Sequence, residues 1–298
     1  MGNNTGLDSD ISLTADELVK QATIKRNSIR WKWNKDYEME MIMDMYLRAA
    51  NIYKEKEEWK EAVDALIQAA TCSDDLSEMK YVDYVVAANM LQNINKAGAV
   101  ELLRKAITLY INKGDLHSAG KYSMQIAQMY EDLDDISGAI SAYKVAISHY
   151  EQANIINKRR PSTSIRTCQH KIIKLLVQSD LLEEAGDIYM TLACSSHEDK
   201  LYRTRSSQYC MMAGLCFMCL GDHVLMLRSL DRYYLIDPEF KESKHDRLLR
   251  DLSDCLLYIE PEDKNRIYTV LYDITEKCQV TDKDNCIYLS VKGAKLLN

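Results

Sequence analysis

One spacing recurs along this chain and narrows what it can fold into more than any other feature. Residues 126–147, IAQMYEDLDDISGAISAYKVAI, place Ala127, Tyr130, Ala139, Tyr143 and Ala146 at offsets 0, 3, 12, 16 and 19. Residues 49–69 set Ala50, Tyr53, Ala62, Leu66 and Ala69 at the same offsets. Small residues at these intervals let two antiparallel helices approach closely, and the aromatic or leucine fills the gap between them. Each pair then buries its remaining apolar face by stacking on the next. Looser copies follow in Ala88, Leu91, Ala99, Leu103 and Ala106, and in Ala185, Tyr189 and Leu192 after a turn at Gln178-Ser179-Asp180. The first-helix alanines 50, 88 and 127 step by 38 and 39 residues, longer than the roughly 34 of a tetratricopeptide unit. The expected fold is therefore all-α: a TPR-like helical-repeat solenoid with lengthened helices and a concave binding surface.

The punctuation agrees with this reading. Three prolines and ten glycines in 298 residues leave long uninterrupted helices. The expected breaks fall at Lys113-Gly114-Asp115, Asp132 to Asp135 and Gly221-Asp222. In YEMEMIMDMY the methionines alternate as in a strand, but Met39, Met43, Tyr46, Ala50 and Tyr53 also follow three- and four-residue steps, and only the helical pattern continues. From about residue 235 the repeat fades. The chain is accordingly divided into a solenoid, 1–234, and a C-terminal helical bundle, 235–298, whose helices close the last repeat.

Chemistry is sparse. No phosphate loop, zinc-protease motif or nucleophile elbow occurs, so no catalytic residue, cofactor or metal is expected and the chain is read as a non-enzyme. Cys216, Cys219 and His223 form the single mixed Cys/His grouping, and core packing explains the two cysteines at helical spacing. Nine cysteines, an odd number with no secretory signal before them, suggest reduced thiols. A net charge of −7 argues against a general nucleic-acid binder. No run is apolar for the roughly 20 residues a membrane span requires, which leads to the expectation of a cytoplasmic protein.

Residues 45–72 (MYLRAANIYKEKEEWKEAVDALIQAATC), 104–130 (RKAITLYINKGDLHSAGKYSMQIAQMY), 183–189 (EEAGDIY), 209–222 (YCMMAGLCFMCLGD) and 238–249 (PEFKESKHDRLL) resemble the soluble NSF attachment proteins. The resemblance implies an adaptor that grips assembled SNARE four-helix bundles through a basic inner face. It also implies recruitment of an NSF-type AAA ATPase for SNARE disassembly in vesicle fusion, several copies per complex and peripheral contact with the membrane.

Carried over residue by residue, Lys121 and Lys171 match basic positions of the SNARE-binding face. Lys113 stands near a position where the family has arginine and this chain has Asp115. Lys96, Arg166, Lys200, Arg203 and Arg205 are companions. The segment 27–36 falls where the family carries its membrane loop, and Trp31 and Trp33 with Arg30 and Lys32 suit a headgroup region. Its Lys-Trp pattern is similar to gamma-type members, so the subtype stays open between alpha, beta and gamma. Packing of the two indoles on the first helix pair is the other reading. For the ATPase contact, Asp222 and Asp254 match acidic family positions. Leu257 and Tyr258 replace neighbouring glutamates, for which Glu260, Glu262 and Asp263 of the next turn are the expected substitutes, and Leu297 keeps the penultimate leucine without the family's acidic tail. The alternative to the adaptor is a helical-repeat scaffold for an unrelated peptide. A third reading is a metalloenzyme at Cys216, Cys219 and His223.

Overall fold

The computed structural model describes residues 13–29, 35–72, 80–157, 163–220 and 223–258. Among these residues the secondary structure is helical, with no strand. The α-helices are α1 (Ala15–Ser28), α2 (Lys35–Glu55), α3 (Trp59–Cys72), α4 (Lys80–Leu91), α5 (Lys96–Asn112), α6 (Leu116–Glu131), α7 (Ile136–Asn157), α8 (Thr163–Gln178), α9 (Leu182–Glu198), α10 (Arg203–Met218), α11 (His223–Ile236) and α12 (Lys244–Tyr258). A 3-10 turn, Pro238–Phe240, separates the last two. Contacts divide the chain into two compact units, Met1–Ser162 and Thr163–Asn298.

In the first unit each helix from α1 to α7 packs on the next in sequence. The repeat alanines make this possible: Ala50, Ala62, Ala69, Ala88, Ala99, Ala106, Ala127, Ala139 and Ala146 are all buried. Larger repeat positions fill the space between, with Tyr143 and Leu103 buried and Tyr130 and Leu91 partly so. Buried tyrosines need polar partners. The Tyr53 hydroxyl donates to Asp16 on α1 at 2.5 Å, and that of Tyr143 donates to Glu131 on α6. Burial and the Asp16 hydrogen bond push the Tyr53 phenol up to about 12.

Four of the turns share one construction. Glu58, Asp115, Asp135 and Leu181 each donate a backbone N–H to the carbonyl five residues back, closing a Schellman cap. The residue before each lies in the left-handed region: Glu57 (φ 60°), Gly114 (φ 81°), Asp134 (φ 57°) and Asp180 (φ 64°). At Asp115 and Asp135 the next helix begins at once, because each carboxylate accepts the N–H three residues on, from Ser118 and Gly138.

The second unit is built around α10, whose residues Tyr209 to Met218 are buried without interruption, as is its C-cap Cys219. A helix apolar on every side belongs in the centre of a bundle, and α9, α11 and α12 all pack on it. Its CxxC cysteines, Cys216 and Cys219, are core residues there. Asp237 caps the Pro238–Phe240 turn by accepting from the Glu239 N–H. α12 is tied back through Asp246, which accepts from the Tyr234 hydroxyl at 2.6 Å and from Arg250 Nε at 3.2 Å.

Of the membrane-loop segment expected at 27–36, residues 30–34 lie outside the described residues and both ends belong to helices. Asn27 and Ser28 end α1, where the Ser28 hydroxyl returns to the Lys25 carbonyl at 2.7 Å, and Lys35 opens α2. Polar residues that break helices in the interior serve as their ends here. Gly221-Asp222 lies outside the described residues.

Candidate functional site

The basic residues fall into one set in each unit. On α6, Lys121 is exposed and reaches over the Tyr122 ring, 5.4 Å from its centroid. Tyr122 in turn stacks on Tyr110 of α5 at 5.3 Å, so an aromatic pair supports this cation. Lys113 is exposed at the C-terminal cap of α5. Lys96, at the start of α5, is held by Asp132 at the end of α6, with Nζ 3.2 Å from the carboxylate.

In the second unit the turn between α9 and α10 gathers Arg166, Lys200, Arg203 and Arg205. The Arg166 guanidinium sits over the Tyr202 ring, 3.7 Å from its centroid, and binds Asp199 at 3.3 Å. Arg205 approaches the same ring at 5.6 Å. Arg203 Nε donates to the His197 carbonyl at 3.1 Å, and Asp199 also accepts the Leu201 N–H at 3.1 Å. Lys200, Arg203 and Arg205 are exposed, whereas Arg166 is 7% exposed. The charge of Arg166 is thus met within the fold, and what reaches solvent at this turn belongs to the other three. Lys171 sits half-buried on α8.

Asp199 and Tyr202 organise this cluster, yet no spacing in HEDKLYRTR singles them out. Their role appears only once the turn brings α8 beside them. Another missed signal was legible: Thr14-Ala15-Asp16-Glu17 is a capping box, with Thr14 Oγ1 accepting the Glu17 N–H and Glu17 accepting the Thr14 N–H. The two Thr14 hydrogen bonds hold the Glu17 carboxyl below its usual range.

Of the residues assigned to the ATPase, Asp254 is exposed on α12. Asp222, Glu260, Glu262 and Leu297 lie outside the described residues, as do the membrane-loop residues Arg30, Trp31, Lys32 and Trp33. No described helix is long and apolar enough to cross a membrane.

Stacked helix pairs with a recurring turn construction, and basic side chains displayed on them, define a TPR-like helical-repeat scaffold. The family model described as "Soluble NSF attachment protein, SNAP" matches residues 13–275, and the chain belongs to that family. It is similar to the alpha-soluble NSF attachment protein of Vitis vinifera, 26% identical over 253 residues covering 84% of each chain. It is 26% identical over 271 residues to the beta-soluble NSF attachment protein of Bos taurus, covering 90% of this chain and 87% of that one. Among solved structures, BtubC (BKLC) from P. vanneervenii covers 78% of this chain and 94% of its own, with 13% identity and a TM-score of 0.39.

Proposed function

We propose that this chain is a non-enzymatic adaptor that attaches an NSF-type AAA ATPase to assembled SNARE bundles, several copies per complex, in vesicle fusion. The observation that carries the reading is the family match across residues 13–275. The basic residues support it physically. A SNARE bundle carries acidic surface, and exposed cations on a rigid scaffold attract it at long range without reading an exact sequence.

In this reading Lys121, Lys171, Lys113, Lys96, Lys200, Arg203 and Arg205 supply the attraction, and Arg166 braces the turn that presents the last three. Asp222, Asp254, Glu260, Glu262 and Leu297 face the ATPase. Trp31 and Trp33, with Arg30 and Lys32, touch the cytoplasmic leaflet. The solenoid, 1–234, holds the SNARE bundle, and 235–298 presents it to the ATPase.

Co-precipitation tests the proposal: the chain should retain an assembled SNARE bundle at low salt, lose it as salt rises, and retain single SNARE helices far less well. Equal retention of single helices would favour a general peptide scaffold instead. Adding the ATPase and ATP should then release the SNAREs.

A further inference from the structure

An open groove of about 410 Å³ lies in the first unit where α5, α6 and α7 meet. Its floor is apolar: Ile107 and Ile126 are buried there, while Ile111 and Val145 stay 41% and 47% exposed along its walls. From Arg104 to Ile111, α5 lines it for about 10 Å, two helical turns.

The polar groups around this groove differ in how far they are already satisfied. The Asp135 carboxylate accepts from the Gly138 N–H at 2.9 Å and from the Ser137 hydroxyl at 3.0 Å, at the positive end of α7. Burial lowers the pKa of His149, whose ring bonds Ser123 Oγ at 3.2 Å. Arg104 is different. Its guanidinium makes one hydrogen bond among the described residues, to the Tyr130 hydroxyl at 3.2 Å, and no carboxylate pairs with it there. The remaining donors form a fork that matches a carboxylate.

We infer that this groove binds a helical peptide segment of a partner protein, one that lays two aliphatic side chains a turn apart on the apolar floor and offers a carboxylate to Arg104. Apolar helix faces dock in such grooves through residues one turn apart. The carboxylate fixes direction, because the groove has its unpaired cation at one end only. The groove also stands apart from Lys121. On α6, Ser123, Ile126 and Tyr130 point into it, and at 100° per residue Lys121 lies about 140–180° around the helix from them. A partner here leaves Lys121 open, so two partners can occupy the unit together. The inference does not depend on what binds the basic face.

The test uses the full chain and two synthetic helical peptides with leucines at i and i+4, one ending its apolar stripe in Glu and the other in Lys. Fluorescence anisotropy should show the Glu peptide binding at least tenfold more tightly than the Lys peptide. Arg104→Glu should reverse that order, and Val145→Arg should abolish both while leaving the melting temperature in place, since residue 145 is exposed. SNARE-bundle binding should persist with the groove filled. Equal affinity for the two peptides, unchanged preference in Arg104→Glu, or no saturable binding would each overturn the inference. Loss of SNARE binding on adding peptide would overturn the two-partner part of it.

Discussion

Gly120 on α6 faces the ring of Tyr150 on α7, and a β-carbon placed at position 120 would stand 2.9 Å from the ring's Cε1. Tyr150 is buried, so the ring has nowhere to retreat. The close approach of these two helices therefore rests on a missing side chain as well as on the alanines. Gly120→Ala should destabilise the chain by about 1–3 kcal/mol, the usual cost of overpacking, although alanine is the better helix former. Ala139→Leu, on the facing helix, should do the same. Chemical denaturation measures both, and an unchanged midpoint in both would mean that α6 and α7 are not this closely packed.

The turn residues permit a prediction of opposite sign. Glu57 occupies a left-handed conformation (φ 60°) that Gly114 occupies in the equivalent turn (φ 81°). A side chain in that region costs roughly 1–2 kcal/mol, part of which glycine gives back through its greater freedom when unfolded. Glu57→Gly should stabilise by about 0.5–1 kcal/mol, and Gly114→Ala should destabilise by about 1 kcal/mol or more. The pair of melting temperatures should therefore move apart.

His149 predicts a pH effect. Burial lowers its folded-state pKa below the ordinary 6.5, so between the two values the unfolded chain binds the extra proton. Stability from this group is present above pH of about 6.5 and is lost as the pH falls below it. The Ser123 hydroxyl donates to the Ala119 carbonyl at 2.9 Å and so accepts from His149 Nδ1–H. His149→Gln should flatten the slope of melting temperature against pH below about 6.5. A slope that remains would place its origin in other groups.

How far the sequence could be read follows from which forces leave a periodic trace. Helix pairing does, since contact positions such as Ala62 and Ala139 must be small and recur with the repeat. The Schellman turns do so only in part: Gly114 announces itself, but Glu57, Asp134 and Asp180 adopt the same conformation with no glycine to mark it. The α9–α10 turn leaves none. Arg166 reaches Asp199 across 33 residues and Tyr202 across 36, and a long-range pair of common residues has no local signature. Position in the sequence grouped Arg166 with Lys121; burial separates them.

That separation gives the last prediction, because two cations with similar claims on an acidic partner should respond to mutation in different assays. Arg166 is buried against Asp199 and Tyr202, and removing it takes the guanidinium away from a carboxylate with 12% side-chain exposure. Losing one member of a buried pair costs about 3–5 kcal/mol, so Arg166→Ala should lower the melting temperature sharply. Arg166→Lys should recover only part of it, since an ammonium lacks the guanidinium's planar, delocalised charge. Lys121 is exposed above Tyr122, where a charge acts mainly through long-range attraction that salt screens. Reversing Lys121 and Lys171 together to Glu should leave helicity intact, while SNARE-bundle binding weakens and becomes less salt-dependent. Full binding at low salt by the double reversal would remove both lysines from the binding face. An unshifted melting temperature in Arg166→Ala would return that residue to the surface set.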